Sequence, residues 1–273
     1  MTESAHRKTI LMCPPDFFGV AYVINPWMEG QIALTDPAEA LRQWAALRAL
    51  IAAEAEIVLA PSQSGLPDLV FTANAGLPKG RRVVPSRFRC PERQGEEAVF
   101  RAVFAARGYE LIDPPPGMSF EGAGDALFDE ARDLYWVGHG FRSDKDIAPF
   151  LEQVFSTRAV SLTLADSRFY HLDTCLCPLP GGFLLYFPGA FDAASRTAIE
   201  AIVPRERRIA VGEDDAAGFC CNAVALGRKI ILNRASPELL ARLRDAGLTP
   251  VLTPLSQFIK AGGAAKCLTL DLA

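Results

Sequence analysis

What this sequence lacks narrows it before any motif is read. No apolar run approaches the roughly 18 residues that a membrane span requires. No cluster of Lys and Arg forms the basic stripe that a phosphate backbone demands, and 28 Lys+Arg against 32 Asp+Glu leave a formal charge of −4. Neither a membrane nor nucleic acid is therefore expected as a partner. Histidine is scarce, at 3 residues in 273. The cysteine pairs do not have zinc-site spacing, so no metal and no cofactor is expected. Only a very short apolar stretch separates the polar N-terminus from Pro14 and Pro15. That is too little for a secretory core and predicts a cytoplasmic protein. Glycine (21) and proline (20) are not in excess, and half the residues are hydrophobic, which excludes fibrous and disordered chains.

Seven cysteines are present: Cys13, Cys90, Cys175, Cys177, Cys220, Cys221 and Cys267. The count is odd and the chain is long enough to bury a core without staples, so thiols are expected rather than disulfides. Cys175 and Cys177 alternate along an apparent strand, and Cys220 and Cys221 are adjacent; packing is the expected role of both pairs.

Helical periodicity is strongest over 37–54. There Thr35 or Asp36 can cap, Pro37 fits the first turn, and Leu41, Trp44, Leu47 and Leu50/Ile51 recur every three or four residues. Weaker patterns predict helices over 92–107, 147–155, 192–202, 237–246 and 254–260. Between them lie paired β-type runs at 69–77 with 82–85, 126–128 with 134–138, 175–179 with 183–187, and 223–226 with 229–232. Each pair reads as a hairpin followed by a helix. The polar residues Asn74, Asp125, Asp173, Asn222 and Cys267 mark these units at intervals of 51, 48, 49 and 45 residues. A strand-and-helix unit repeated about five times forms either a solenoid or a closed ring. Closure is the reading adopted, because it brings one phase of every repeat to a common axis. No linker divides the chain, and one domain over 1–273 is expected.

Three segments carry candidate chemistry. Cys267 follows a glycine-containing turn, Gly262-Gly263-Ala264-Ala265-Lys266, that leads into a C-terminal strand, where backbone N–H groups can favour thiolate. In Tyr170-His171-Leu172-Asp173, an extended backbone would point His171 and Asp173 to the same side, an acid/base group beside a carboxylate. His6 lies near the N-terminus and His139 follows a strand, so His171 is the favoured acid/base. In Phe120-Glu121-Gly122-Ala123-Gly124-Asp125, two acids flank a glycine turn too short for a dinucleotide fingerprint. One cysteine, one histidine and surplus carboxylates suit nucleophilic attack on a cationic electrophile such as a guanidinium.

Asn25-Pro26-Trp27-Met28, Phe71-Thr72-Ala73-Asn74-Ala75-Gly76, Phe120 to Asp125, His171-Leu172-Asp173-Thr174 and Gly263 to Cys267 occur in order along nearly the whole chain. Together they resemble the guanidino-group-modifying (pentein) superfamily, in particular its arginine dihydrolase and dimethylarginine dimethylaminohydrolase-like group. The resemblance implies an α/β fold, a five-bladed pseudo-symmetric propeller. It also implies Cys267 as nucleophile, His171 as acid/base and Glu121 and Asp173 as guanidinium-binding carboxylates. Arg142 would clamp a substrate α-carboxylate, Asn25 and Arg93 would be further substrate contacts, and Asp125 is counted with this binding set. Asn74 stands where deiminases and dimethylarginine hydrolases carry aspartate. An amide there, as in dihydrolases, can also meet a ureido oxygen. The implied activity is hydrolysis of arginine to ornithine, ammonia and carbon dioxide on a small guanidino substrate. A deiminase, a methylarginine hydrolase, an amidinotransferase, a metal-dependent hydrolase and a non-catalytic binding propeller are the alternatives. A homo-oligomer is left open.

Overall fold

The structure, a computed structural model, describes residues 7–272, so His6 lies outside the described residues. Five three-stranded sheets are found among them. Four share one plan: an inner strand pairs antiparallel with a central strand, a helix crosses over, and an outer strand returns parallel to the centre. The second unit joins Gly76–Lys79, Arg82–Pro85 and Glu110–Leu111, and the third joins Ala126–Asp129, Leu134–His139 and Arg158–Thr163. Leu176–Leu179, Phe183–Tyr186 and Arg208–Ala210 make the fourth. Val224–Leu226, Lys229–Leu232 and Thr249–Leu252 make the fifth.

The first unit draws on both ends of the chain. Its centre is Thr9–Met12 and its outer strand is Glu56–Leu59, while the inner position is filled by Leu270–Asp271 from the C-terminus. That pairing closes the ring that the spacing suggested, giving the five-bladed α/β propeller that the resemblance implied.

The spacing residues lie where adjoining units meet. Asn74 donates through Nδ2 to the Glu121 carbonyl at 3.0 Å, and Asp125 accepts from the Leu172 N–H at 3.1 Å. Asn222 donates to the Asp173 carbonyl at 3.0 Å and accepts from the Cys267 N–H at 3.1 Å. The Ala73 N–H closes the circle on the Cys267 carbonyl at 3.1 Å. Each joint of the ring is thus a hydrogen bond between turns that precede neighbouring inner strands. At Gly122, with φ of +63°, an added Cβ would stand 2.8 Å from the Gly76 nitrogen and 2.9 Å from the Ala73 oxygen. Only glycine lets these two backbones meet so closely.

Locally the chain departs from the periodicity reading in four places. The run 69–77 is mostly two 3-10 turns, Pro67–Val70 and Thr72–Ala75, with extended backbone beginning at Gly76. The helix expected over 92–107 is Pro91–Gln94 followed by Glu96–Ala106, and that over 254–260 is one turn, Ser256–Ile259. Cys175 precedes its strand rather than belonging to it. The outer strands escaped the pattern because their end residues are exposed or they are too short: Glu56–Leu59 and Thr249–Leu252 are exposed at both ends, and Glu110–Leu111 has two residues.

The helix Pro37–Ala52 starts as expected, with Asp36 accepting from the Ala38 and Glu39 N–H groups and Pro37 in the first turn. Its buried stripe, however, is Ala40, Trp44, Leu47 and Ile51, whereas Leu41 is 51% exposed. Among the described residues no helix is long and apolar enough to cross a membrane.

Leu47→Ala should lower the unfolding free energy by about 2–5 kcal/mol through lost burial and a residual cavity. Leu41→Ala should stay within about 0.5 kcal/mol. Urea titration of the two variants checks this; equal losses would show that the helix faces the core differently.

Candidate active site

Three of the turns before the inner strands bring Asn74, His171 and Cys267 to one small buried cavity. Its walls include Cys267, His171, Asn74, Arg93, Arg142 and Asp68. The residues that the motifs singled out separate there into groups with different surroundings.

Cys267 is 3% exposed. Its sulfur lies 3.2 Å from Asp173 Oδ2 and accepts from Asn222 Nδ2 at 3.0 Å. Burial, and then the Asp173 carboxylate beside it, push the thiol well above its ordinary value. The resting group is a thiol donating to a carboxylate. Burial in turn pushes Asp173 up to about 6, with Lys266 and the Cys267 hydrogen bond opposing it. Asp173 Oδ1 is fully buried and has no hydrogen-bond partner. An acceptor left without a donor in such a place is costly, and it is a natural ligand for a cation.

The expected pairing of His171 with Asp173 does not occur. His171 starts a 3-10 turn, Leu172–Thr174, so alternation along a strand does not apply. Its Nε2 instead meets Glu121 Oε2 at 2.7 Å, across 50 residues of sequence. Burial alone would raise the Glu121 carboxyl, but the Arg142 guanidinium and the His171 ring together hold it well below the usual carboxylate range. An ionised Glu121 accepts only, so the imidazole carries its proton on Nε2 and its other nitrogen is the one free to exchange a proton.

Arg142 and Arg93 are both buried. Arg142 donates to Glu121 Oε2 at 3.1 Å and to the Ile24 carbonyl at 2.9 Å, and its guanidinium lies 4.7 Å over the Tyr170 ring. Arg93 is chelated by Glu96 at 2.8 and 2.7 Å and donates to Asn74 Oδ1 at 3.0 Å. Arg93 also donates to the Asp68 carbonyl at 3.3 Å, so of the five N–H groups of a guanidinium it keeps one for an anion, whereas Arg142 keeps three.

Three motif residues have other or additional roles. Asp125, like Glu121 and Asp173, stands behind the cavity wall; it accepts from Ser143 Oγ at 2.6 Å and from the Leu172 N–H, and so braces two units. Burial pushes it up to about 6. The contacts that the structure gives Asp125 are those of a brace. Asn25 does line the cavity, but its oxygen caps the 3-10 turn at Trp27 and Met28 and its nitrogen holds the Ala261 carbonyl. It ties two walls together. Asn74 is likewise held at both ends, by Arg93 and by the Glu121 carbonyl.

Two acids were missed. Asp68 accepts from Tyr22 at 2.9 Å, and its other oxygen is buried without a partner. Glu96, pushed up to about 7 by burial, balances Arg93. A charged residue inside the apolar run Leu66-Pro67-Asp68-Leu69-Val70-Phe71 was the available signal for Asp68. Of the free cysteines, Cys175, Cys177, Cys220 and Cys221 are buried in the core. No group of three or more potential metal ligands is found among the described residues.

Comparison with known proteins agrees with this geometry. The chain is 52% identical over 261 residues to the bifunctional arginine dihydrolase/ornithine cyclodeaminase ArgZ of Synechocystis sp., a match spanning 96% of this chain and 37% of that protein. It thus spans less than two fifths of the length of this curated relative. It is 39% identical to the N(G),N(G)-dimethylarginine dimethylaminohydrolase of Mycobacterium tuberculosis, over 99% of this chain and 87% of that one. The crystal structure of the cyanobacterial ArgZ N-terminal domain bound to substrate superposes with a TM-score of 0.96 at 51% identity, covering 97% of this chain and 98% of that one. A family model described as N,N dimethylarginine dimethylhydrolase, eukaryotic, matches residues 31–273. The chain belongs to the dimethylarginine dimethylaminohydrolase family.

Proposed function

We propose that this chain hydrolyses the guanidino group of L-arginine to ornithine, carbon dioxide and two molecules of ammonia, through a covalent intermediate on Cys267. The observation that carries the reading is a buried cavity lined by the Cys267 thiol, the His171 ring, the Asp68 carboxylate with an unpartnered oxygen and two guanidinium groups, with Asp173, whose other oxygen is also unpartnered, bonded to the thiol at its wall. A ligand with a planar cation and a carboxylate satisfies both kinds of group, and arginine has both. The cyanobacterial relatives named as arginine dihydrolases support the choice of substrate.

Chemically, the guanidinium binds against Asp173, and the thiol proton released from that contact passes to the free nitrogen of His171. Cys267 Sγ then adds to the guanidinium carbon. His171, with Glu121 opposite its positive form, delivers a proton to the departing nitrogen, and ammonia leaves an S-linked thiouronium. Water, losing its proton to His171, adds to that carbon, and sulfur leaves as a ureido product forms. The same sulfur attacks the ureido carbon and expels the second ammonia. Hydrolysis of the resulting thiocarbamate gives a carbamate that decarboxylates to ornithine. Two waters are consumed. Arg93 and Arg142 would hold the α-carboxylate throughout.

Asn74 favours the second round. Its oxygen is held by Arg93 and its nitrogen by a backbone carbonyl, so the position adds no negative charge beside a neutral ureido group. We read the protein as a cytoplasmic enzyme.

Incubation with arginine should yield ammonia and ornithine in a 2:1 ratio, and Cys267→Ser should abolish turnover, as followed by amino-acid and ammonia analysis. Citrulline as the sole end product would sink the dihydrolase reading, and preferential release of dimethylamine from dimethylarginine would replace it with the methylarginine reaction. Asn74→Asp should stop the reaction largely at citrulline, with the citrulline to ornithine ratio as the measurement. The pH profile follows from Asp173. A carboxyl raised to about 6 by burial is neutral below that pH and no longer attracts the cation. The value of kcat/KM should therefore fall as pH drops through about 6, and a profile flat down to pH 5 would contradict this assignment.

A further inference from the structure

The repeat places Asn222 at one joint of the hub, yet the chemistry above gives it no task. Its side chain is fully buried and every hydrogen-bonding position is used. Oδ1 accepts from the Ala264 N–H at 3.0 Å and the Cys267 N–H at 3.1 Å. Nδ2 donates to the Asp173 carbonyl at 3.0 Å and to Cys267 Sγ at 3.0 Å. This pattern fixes which end of the amide is nitrogen. A flipped amide would set oxygen against the Asp173 carbonyl and N–H against two backbone N–H groups. The N–H at the sulfur is therefore built in.

We infer that Asn222 is the positioning residue that aims Cys267 Sγ and receives its negative charge when the sulfur is released as thiolate. The inference rests on the reading of Cys267 as nucleophile. Among the described residues, Asn222 is the one side-chain donor to that sulfur. The sulfur's other polar neighbour is Asp173 Oδ2, an acceptor that repels a thiolate. Once the guanidinium occupies Asp173, the thiol proton is gone and the sulfur, twice a leaving group and twice an attacking group in each turnover, needs a donor that carries no proton it could lose. A neutral carboxamide meets that need. Because its oxygen also holds the Cys267 and Ala264 N–H groups, one planar group fixes both the turn and the atom it presents, as a preorganised donor does for a developing oxyanion.

The ionisable surroundings are known on every side. Asp173 and His171 come from the fourth unit's turn, and Lys266 adjoins Cys267 and acts on Asp173. Tyr170 lines the same cavity as Cys267. Cys177 donates to the Ala223 carbonyl behind the amide, and Cys220 and Cys221 immediately precede it.

The test uses the whole chain with Asn222→Asp, Asn222→Ala and Cys267→Ala. Two quantities are followed against pH: arginine turnover, and alkylation of Cys267 by iodoacetamide read by peptide mass spectrometry. Asn222→Asp keeps the shape but turns an oxygen toward the sulfur. It should lower kcat by about 100-fold or more with KM within a few-fold. It should also move the alkylation midpoint to higher pH, and it should regain turnover toward acid, where a protonated carboxyl is again a donor. Asn222→Ala should shift the midpoint in the same direction by less. Wild-type alkylation and kcat profiles in either folded variant would overturn the inference. If neither variant folds, asparagine-labelled wild-type protein decides: the Asn222 side-chain amide resonance should move as Cys267 titrates, and a stationary resonance overturns the assignment. Turnover surviving in Cys267→Ala would overturn the nucleophile reading itself. Loss there beside wild-type profiles in the Asn222 variants would overturn only the role of Asn222.

Discussion

The hydrogen bonds that join neighbouring turns around the hub are the constraint on which the rest depends. Four run between residues some 45 to 49 positions apart, Asn74 to the Glu121 backbone, Asp125 to Leu172, and Asn222 to both Asp173 and Cys267, and the fifth joins Cys267 back to Ala73 across the ends of the chain. None is exposed to water, so leaving any partner unmatched would cost the desolvation of a buried polar group. The joints therefore fix the ring and, with it, the side chains at its axis. The pairing of Leu270–Asp271 with Thr9–Met12 completes the circle and seats Cys267 opposite residues from the middle of the chain.

Around that axis the buried charges divide by partner. Glu121 is matched by Arg142 and faces His171, while Asp68 and Glu96 share Arg93. Among the described residues Asp173 has no cation in hydrogen-bonding contact. It meets only a thiol, and burial pushes both groups toward their neutral forms. A cation entering beside them changes that balance, because it stabilises a carboxylate and a thiolate together. In the proposed reaction the thiol is thus quiet without substrate and activated by the charge it attacks. Arg93 and Arg142 contribute differently: their own charges are matched, yet their unused N–H groups still address an anion.

Legibility in the sequence followed the distance over which each relation acts. The repeat was visible because the same turn recurs before each inner strand, and the cap at Asp36 and the proline at 37 were visible because caps are local. Cys267 and His171 stood out as residue types, and the structure places them on one cavity. The partner of His171 was not legible. A reading in terms of strand alternation chose Asp173, whereas a 3-10 turn sends that carboxylate to the sulfur and brings Glu121 from another unit to the ring. Asp125 and Asn25 lie within the motifs but act as braces, a distinction that depends on which donors surround them. Asp68 and Glu96 were unremarkable in sequence because what singles them out is complete burial beside an arginine.

The chain alone determined the number of units, the helix and hairpin order within them, the absence of a long apolar span and the set of residue types able to attack a guanidinium. These depend on periodicity, composition and turn chemistry, all of which act over a few residues. Tertiary structure decided which of those residues face one another: Glu121 with His171, Asp173 with Cys267, Asn222 with the sulfur and its turn. Those contacts arise only when the ring closes, since burial and hydrogen-bond pairing across some fifty residues are properties of the closed hub and not of any segment within it.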